Sequence, residues 1–170
     1  SPVASPSDQK AATRRRNHIR PRIRRKRIPA AAVAAGFTGE PSAVDGGLVH
    51  YSNRANDGIV LDPDRPQALV YASTRHGLLL IGAMYQMPRF DTWGPDPGGP
   101  LTQWHRHEGI CATVLGGLGL SFATPFWTCP VGSVSVTTPP MLHVWTIDNP
   151  DGGPFAADLD HNVIQHLEQS

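Results

Sequence analysis

The sequence predicts a single, mainly β domain, either a β-sandwich or a β-barrel, with short flanking helices and a disordered N-terminal tail. Glycine and proline contribute 17 residues each to a chain of 170, and such an excess favours short elements and many turns. About eight short β-favouring runs are separated by turn sequences, which is typical of sandwiches and barrels. The longest apolar run, residues 30–35, is far too short to span a membrane.

Residues 1–28 differ in composition from the rest of the chain. They contain ten Lys or Arg residues and one acid, Asp8, whereas residues 29–170 contain five arginines and thirteen acids. A block of like charge buries too little apolar surface to offset the entropy of ordering, so residues 1–28 are predicted to be disordered. We expect this tail to contact a polyanion or an anionic membrane surface, without specific nucleic-acid binding, because no aromatic residues are interleaved for base stacking.

The folded domain is predicted to span residues 29–170 and to begin with a short helix. Pro29 precedes an alanine-rich run and Gly36 follows it, which are the preferred residues at the two ends of a helix. Strands are expected at 48–52, 58–61, 68–72, 78–85, 101–107, 110–115, 134–138 and 141–147. Further predictions are a hairpin turn at 75–77, a Gly/Pro-rich loop at 88–100 and a terminal helix at 158–169.

A pair of histidines is the feature of the sequence that most clearly indicates a functional site. In a strand, side-chain alternation places His105 and His107 on one face, with Trp104, Arg106 and Glu108 on the other. Two imidazoles at this spacing converge on one point, as in many metal sites of β proteins. Imidazole suits zinc, copper, iron or nickel.

Together with His143 on a predicted core strand, this pair predicts a site for one transition-metal ion, zinc, copper, iron or manganese. His50 is the best additional histidine, and Glu108 is a carboxylate alternative, although alternation directs it away from the pair. The competing interpretation is a set of structural histidines. The other four are expected to be solvated: His18, His76, His161 and His166.

The two cysteines, Cys111 and Cys129, allow two interpretations. In an exported protein, one disulfide is the default, and we favour it. Alternatively, Cys111 is a soft fourth ligand beside the histidine pair.

The segment from Gly99 to His107 resembles the start of the first cupin motif, and His143 lies where cupins often supply their last metal ligand. The resemblance covers residues 99–143 and implies a β-barrel with a histidine cluster, but no particular activity. Two features depart from the cupin pattern. The glutamate that follows the histidine pair in cupins is absent, and Pro130-Val131-Gly132 is not followed by the histidine of the second motif.

A broader resemblance covers most of residues 30–157. The segments LTQWHxH at 101–107, Cys111, PMLHVW at 140–145 and GPFA at 153–156 resemble an uncharacterised family of bacterial exported or membrane-associated proteins. The resemblance implies an extracellular or cell-envelope location and no established activity.

Three functions are therefore considered. The first is an exported or surface-associated domain that binds a transition metal for storage, delivery or sensing. The second is a cupin-like metalloenzyme of oxygenase or hydrolase type, ranked lower because no general base or substrate pocket is identifiable. The third is a non-metal interaction domain with a polyanion-binding tail. The sequence has no phosphate-binding loop, dinucleotide fingerprint or Gly-x-Ser-x-Gly motif, which argues against nucleotide and α/β-hydrolase chemistry.

Overall fold

A computed structural model describes residues 5–24, 29–39, 47–108, 110–113, 120–122, 129 and 131–170. The described helices are α1 (Pro6–Arg24), α2 (Pro29–Ala34) and α3 (His161–Glu168), and single 3₁₀ turns lie at Arg54–Asn56, Gly99–Leu101 and Gly153–Phe155. The strands are β1 (Thr38–Gly39), β2 (Leu48–Ser52), β3 (Ala68–Thr74), β4 (Gly77–Gln86), β5 (Ile110–Thr113), β6 (Leu120–Phe122), β7 (Ser133–Val136) and β8 (Met141–Trp145).

The main sheet has five strands in the order β1-β2-β3-β4-β8, and every neighbouring pair is antiparallel. A smaller sheet has the order β6-β5-β7. The predicted β-rich fold with short flanking helices is confirmed, but the main sheet is open and does not close into a barrel. Its two edge strands are β1, which has two residues, and β8, which has five. The strands that lie between β4 and β8 in the chain form the smaller sheet and do not complete a barrel. A β-sandwich or cupin-like arrangement stays a prediction.

The two faces of the main sheet carry different clusters of buried side chains. The first face packs with α1, Phe37 and Phe155, through residues that include Val49, Leu69, Tyr71, Leu142 and Val144. The second face packs with Leu159 and the apolar side of α3, through residues that include Val70, Ile81 and Trp145. Strand alternation therefore places His50 and His143 on the second face, since their chain neighbours Val49, Leu142 and Val144 occupy the first.

The centre of the sheet is irregular where it lies beneath the histidines. The β3–β4 register shifts between Val70 and Tyr71, and such a bulge bends a strand and increases its twist. Gly82 lies opposite Trp145. A Cβ at Gly82 would lie 3.0 Å from the Val144 carbonyl oxygen and 3.1 Å from the Trp145 ring. Glycine therefore allows the indole to lie close against the sheet.

Two of the predicted strands are not formed as expected. Residues 58–61 contain no strand. The Ile59 amide donates to the Asn56 carbonyl at 3.2 Å, and the Ile59 carbonyl accepts from the Gln67 side-chain amide at 2.7 Å, so both backbone groups of Ile59 are bonded within the local turn and to a side chain instead of to a neighbouring strand. Residues 101–107 start in a 3₁₀ turn and pair with β8 only through a single bridge between His105 and Met141. The last two residues of the predicted 110–115 strand, 114 and 115, lie outside the described residues.

The N-terminal segment differs most from the sequence-based expectation. Instead of a disordered tail, residues Pro6–Arg24 form helix α1. At its start the Ser5 amide donates to Asp8 at 2.9 Å, and the Asp8 amide donates to the Ser5 hydroxyl at 3.3 Å, a reciprocal capping box. Ala12 and Ile19, two turns apart, are buried in the first-face core, so docking on the sheet supplies the stabilisation that the charged composition lacks.

The arginines of α1 fall into two groups. Arg16 donates to Asp148 at 2.9 Å and Arg22 pairs with Asp64, so both neutralise acids of the folded domain. The other basic side chains whose surroundings are described are exposed: Lys10, Arg14, Arg15 and Arg20. A polyanion or an anionic membrane surface as the partner of these residues stays a prediction. Within the described ranges, no helix is long and apolar enough to cross a membrane.

We expect Ala12→Asp to detach α1, because it places a carboxylate in the apolar contact with the sheet, whereas Ala11→Asp lies on the exposed face and leaves the helix in place. The measurement is limited trypsin digestion, since the helix is rich in arginine. Cleavage within residues 14–24 should accelerate at least about tenfold in Ala12→Asp. Equal cleavage rates in the two variants would show that α1 is not docked through Ala12.

The smaller sheet carries a disulfide between Cys111 of β5 and Cys129. The favoured prediction of a disulfide is thus confirmed. The alternative, Cys111 as a metal ligand, is wrong, because a disulfide sulfur is not the thiolate that binds metals.

Replacing both cysteines by alanine should lower the free energy of unfolding by about 3 kcal/mol, because the unfolded chain regains the entropy of a loop of this size. Urea unfolding with and without a thiol reductant measures this change. Reduced wild type should unfold at a lower urea concentration than oxidised wild type, whereas the double variant should be insensitive to the reductant. No effect of the reductant on wild type would contradict a stabilising disulfide.

Candidate metal site

Four histidine rings meet on the second face of the main sheet. His143 of β8 is central, with its ring centre 5.8 Å from that of His50 on β2 and 5.0 Å from that of His105. The ring centres of His105 and His107 are 5.3 Å apart. The structure therefore brings together all four histidines that the sequence singled out as candidate ligands.

The His105–His107 segment reaches this cluster by pairing with the edge of β8. The His105 amide donates to the Met141 carbonyl at 3.0 Å, and the Met141 amide donates to the His105 carbonyl at 2.7 Å. The His107 amide donates to the Thr138 hydroxyl at 2.9 Å. Trp104 packs against the opposite, first-face core, so the alternation predicted for this segment holds even though it forms no continuous strand.

Burial keeps the central rings neutral. His143 is buried, and loss of solvent lowers its pKa to about 3. Desolvation also lowers the pKa of His50 to about 4, with a further contribution from the neighbouring His107. Burial lowers the pKa of His105 as well. Neutral imidazole is the form that binds metal ions, so these three rings are in the required protonation state at neutral pH.

Backbone carbonyls fix the tautomers of two of these rings. Nδ1 of His143 lies 2.7 Å from the carbonyl oxygen of Ala157, and Nδ1 of His105 lies 3.3 Å from that of Gln103. A carbonyl only accepts, so in each neutral ring Nδ1 carries the proton and Nε2 carries a lone pair. Both Nε2 atoms are buried, and neither has a hydrogen-bond partner among the described residues. Metal-binding histidines are commonly oriented in this way by their second nitrogen.

Gln103 links the supports of these two histidines. Its backbone carbonyl oxygen accepts from Nδ1 of His105, and its side-chain oxygen accepts from the Ala157 backbone amide at 3.1 Å. Its backbone amide donates to the Phe155 carbonyl at 3.0 Å. Ala157 thus contacts both residues: its carbonyl oxygen accepts from His143, and its backbone amide donates to the side chain of Gln103. The sequence analysis assigned no role to Gln103, and its position two residues before His105 is the only local signal.

Two carboxylates, Glu108 and Asp158, relate to the cluster in different ways. Glu108 is exposed and pairs with Arg106, with Oε1 3.3 Å from the arginine Nε, so no described contact connects it with the rings. Asp158 acts on the cluster electrostatically: burial lowers the pKa of His105, and the charge of Asp158 opposes that shift. Nothing in the sequence distinguishes Asp158 from the other acids of its turn.

Each of three neighbouring pairs of rings, His50–His143, His105–His143 and His105–His107, has a spacing that a shared ion allows. As the side chains stand, no group of three or more His, Cys, Asp or Glu in the described ranges is arranged to hold a metal. Two imidazoles bound to one ion at about 2 Å place their ring centres about 5 Å apart, close to the observed 5.0 to 5.8 Å. Binding of one ion by three or more of these side chains therefore requires some of the rings to move from their present positions.

Compared with protein-family models, curated proteins and solved structures, this chain matches none.

We expect nitrogen-detected histidine NMR of metal-free protein at pH 7 to show the Nδ1–H tautomer for His143 and His105. The reason is that the carbonyls of Ala157 and Gln103 each accept from Nδ1. Assignment by single His→Gln substitutions identifies the two signals. An Nε2–H tautomer for His143 would contradict the hydrogen bond to Ala157.

Proposed function

We propose that this protein binds one transition-metal ion between His50, His105, His107 and His143. The observation that carries the proposal is the pair of buried Nε2 atoms, on His105 and His143, that lack hydrogen-bond partners within the described residues while the Nδ1 atoms of the same rings are held by carbonyls.

The energetic cost of this arrangement supports the proposal over a purely structural role. Leaving a buried polar atom unpaired costs about 1 to 3 kcal/mol, and buried polar atoms in proteins are usually paired. Here two such atoms lie on rings whose centres are 5.0 Å apart. A metal ion satisfies both lone pairs at once.

The disulfide supports the proposed location outside the cytoplasm, in the cell envelope or the extracellular space, because such bonds persist in oxidising compartments. In that setting the proposed role is storage, delivery or sensing of the ion. The cupin-like metalloenzyme stays an alternative, which an open coordination position and measured turnover would distinguish from a closed binding site.

The test is elemental analysis of protein purified without a histidine affinity tag, before and after addition of zinc, copper and iron. Wild type should hold about one equivalent of metal, whereas His105→Ala and His143→Ala should each hold less than about a tenth of that. The loss follows because each substitution removes one of the two preoriented nitrogen ligands.

His76→Ala and His166→Ala serve as matched controls, since both histidines are exposed and lie outside the cluster. Circular dichroism confirms that each variant is folded. Wild type that binds no metal under any condition, or His143→Ala that binds as much as wild type, would refute the proposed function.

A further inference from the structure

Two of the three methionines of the chain lie on the histidine face. Met84 of β4 is directly opposite His143 in the β4–β8 register. Met141 is directly opposite His105 in the bridge that joins this segment to β8. Side chains of directly opposite residues in an antiparallel pair share a face, with their Cβ atoms about 4.5 to 5.5 Å apart. Each histidine whose buried Nε2 has no hydrogen-bond partner among the described residues therefore has a methionine as its cross-strand neighbour.

These two thioethers are buried to different degrees. Met141 is 4% exposed, and Met84 is partly buried against the cluster that contains Trp145. Met87, the third methionine, lies one residue beyond β4, and its amide donates to the Pro140 carbonyl at 2.8 Å, so the alternation of β4 continued by one residue places it on the opposite face. The sulfur atoms are thus concentrated on the side of the sheet that carries the imidazoles.

The donor set has no charge of its own. Imidazole and thioether are neutral, the two cysteines are engaged in their disulfide, and Glu108 pairs with Arg106. The desolvation cost of a buried ion rises with the square of its charge, so a neutral buried site penalises a divalent ion about four times as strongly as a monovalent one. Asp158 is the one acid whose charge acts on His105 among the residues described.

We infer that the ion is copper, bound as Cu(I) by the histidine cluster with the thioethers of Met84 and Met141 beside it. Soft thioether ligands select Cu(I), and imidazole also suits copper, whereas manganese and magnesium prefer oxygen ligands. This inference rests on the proposed metal site and specifies the ion that the site takes.

The experiment compares affinities for Cu(I) and Zn(II) by competition with a chromophoric chelator for each ion. Ascorbate under anaerobic conditions keeps copper reduced and, unlike thiols, leaves the Cys111–Cys129 bond intact. The proteins are wild type, Met84→Leu, Met141→Leu and the control Met87→Leu. Leucine conserves volume in a core, and thermal unfolding verifies that each variant is folded.

Wild type should bind Cu(I) at least about a hundredfold more tightly than Zn(II). Met84→Leu and Met141→Leu should each weaken Cu(I) binding by about tenfold and leave Zn(II) binding within about threefold. Met87→Leu should change neither affinity. X-ray absorption at the copper edge should show sulfur neighbours that disappear in the Met84→Leu/Met141→Leu double variant.

The two proposals fail in different ways. Zn(II) bound as tightly as Cu(I), or methionine variants that leave Cu(I) affinity and the sulfur neighbours unchanged, would overturn the assignment of copper while leaving the metal site intact. Absence of binding of either ion would refute the metal site itself.

Discussion

The histidine cluster depends on the curvature of the main sheet. Two strands, β3 and β4, lie between His50 and His143, and neighbouring strands are about 4.8 Å apart. In a flat sheet the backbones of β2 and β8 would therefore be about 14 Å apart, too far for the two rings to meet with parallel side chains. Their centres lie 5.8 Å apart, so the second face is concave. The bulge at Val70/Tyr71 is the irregularity that bends the sheet there.

Curvature brings the rings together, and two hydrogen-bonded segments fix which nitrogen His143 and His105 present. The carbonyls of Ala157 and Gln103 accept hydrogen bonds from Nδ1 of His143 and His105, and the side-chain oxygen of Gln103 accepts from the Ala157 amide. The Nε2 atoms of the same two rings are buried, and neither has a hydrogen-bond partner within the described residues. Preorganisation by backbone carbonyls is common in metal sites because it reduces the rearrangement that binding requires.

Much of the site was accessible from the sequence, because strand alternation is a local rule. It correctly placed His105 and His107 on one face, and the β2 boundaries at residues 48–52 and the hairpin at 75–77 followed from composition and turn chemistry. The supports could not be predicted, since Gln103 and Ala157 are 54 residues apart and meet only in the folded chain. Averaging charge over residues 1–28 also obscured the Ser5/Asp8 cap and the Ala12/Ile19 spacing that allow α1 to form and dock.

The bridge between His105 and Met141 also affects whether two copies of the molecule can associate through the edges of their sheets. β8 is an edge strand of the main sheet, and all five of its residues are buried. An uncovered edge of this kind offers unpaired backbone groups to a strand of another molecule and favours aggregation. The His105–His107 segment covers one end of that edge, because the backbone of His105 exchanges two hydrogen bonds with Met141. The segment that carries two of the histidines therefore also shields the Met141 end of β8 from pairing with a strand of another molecule.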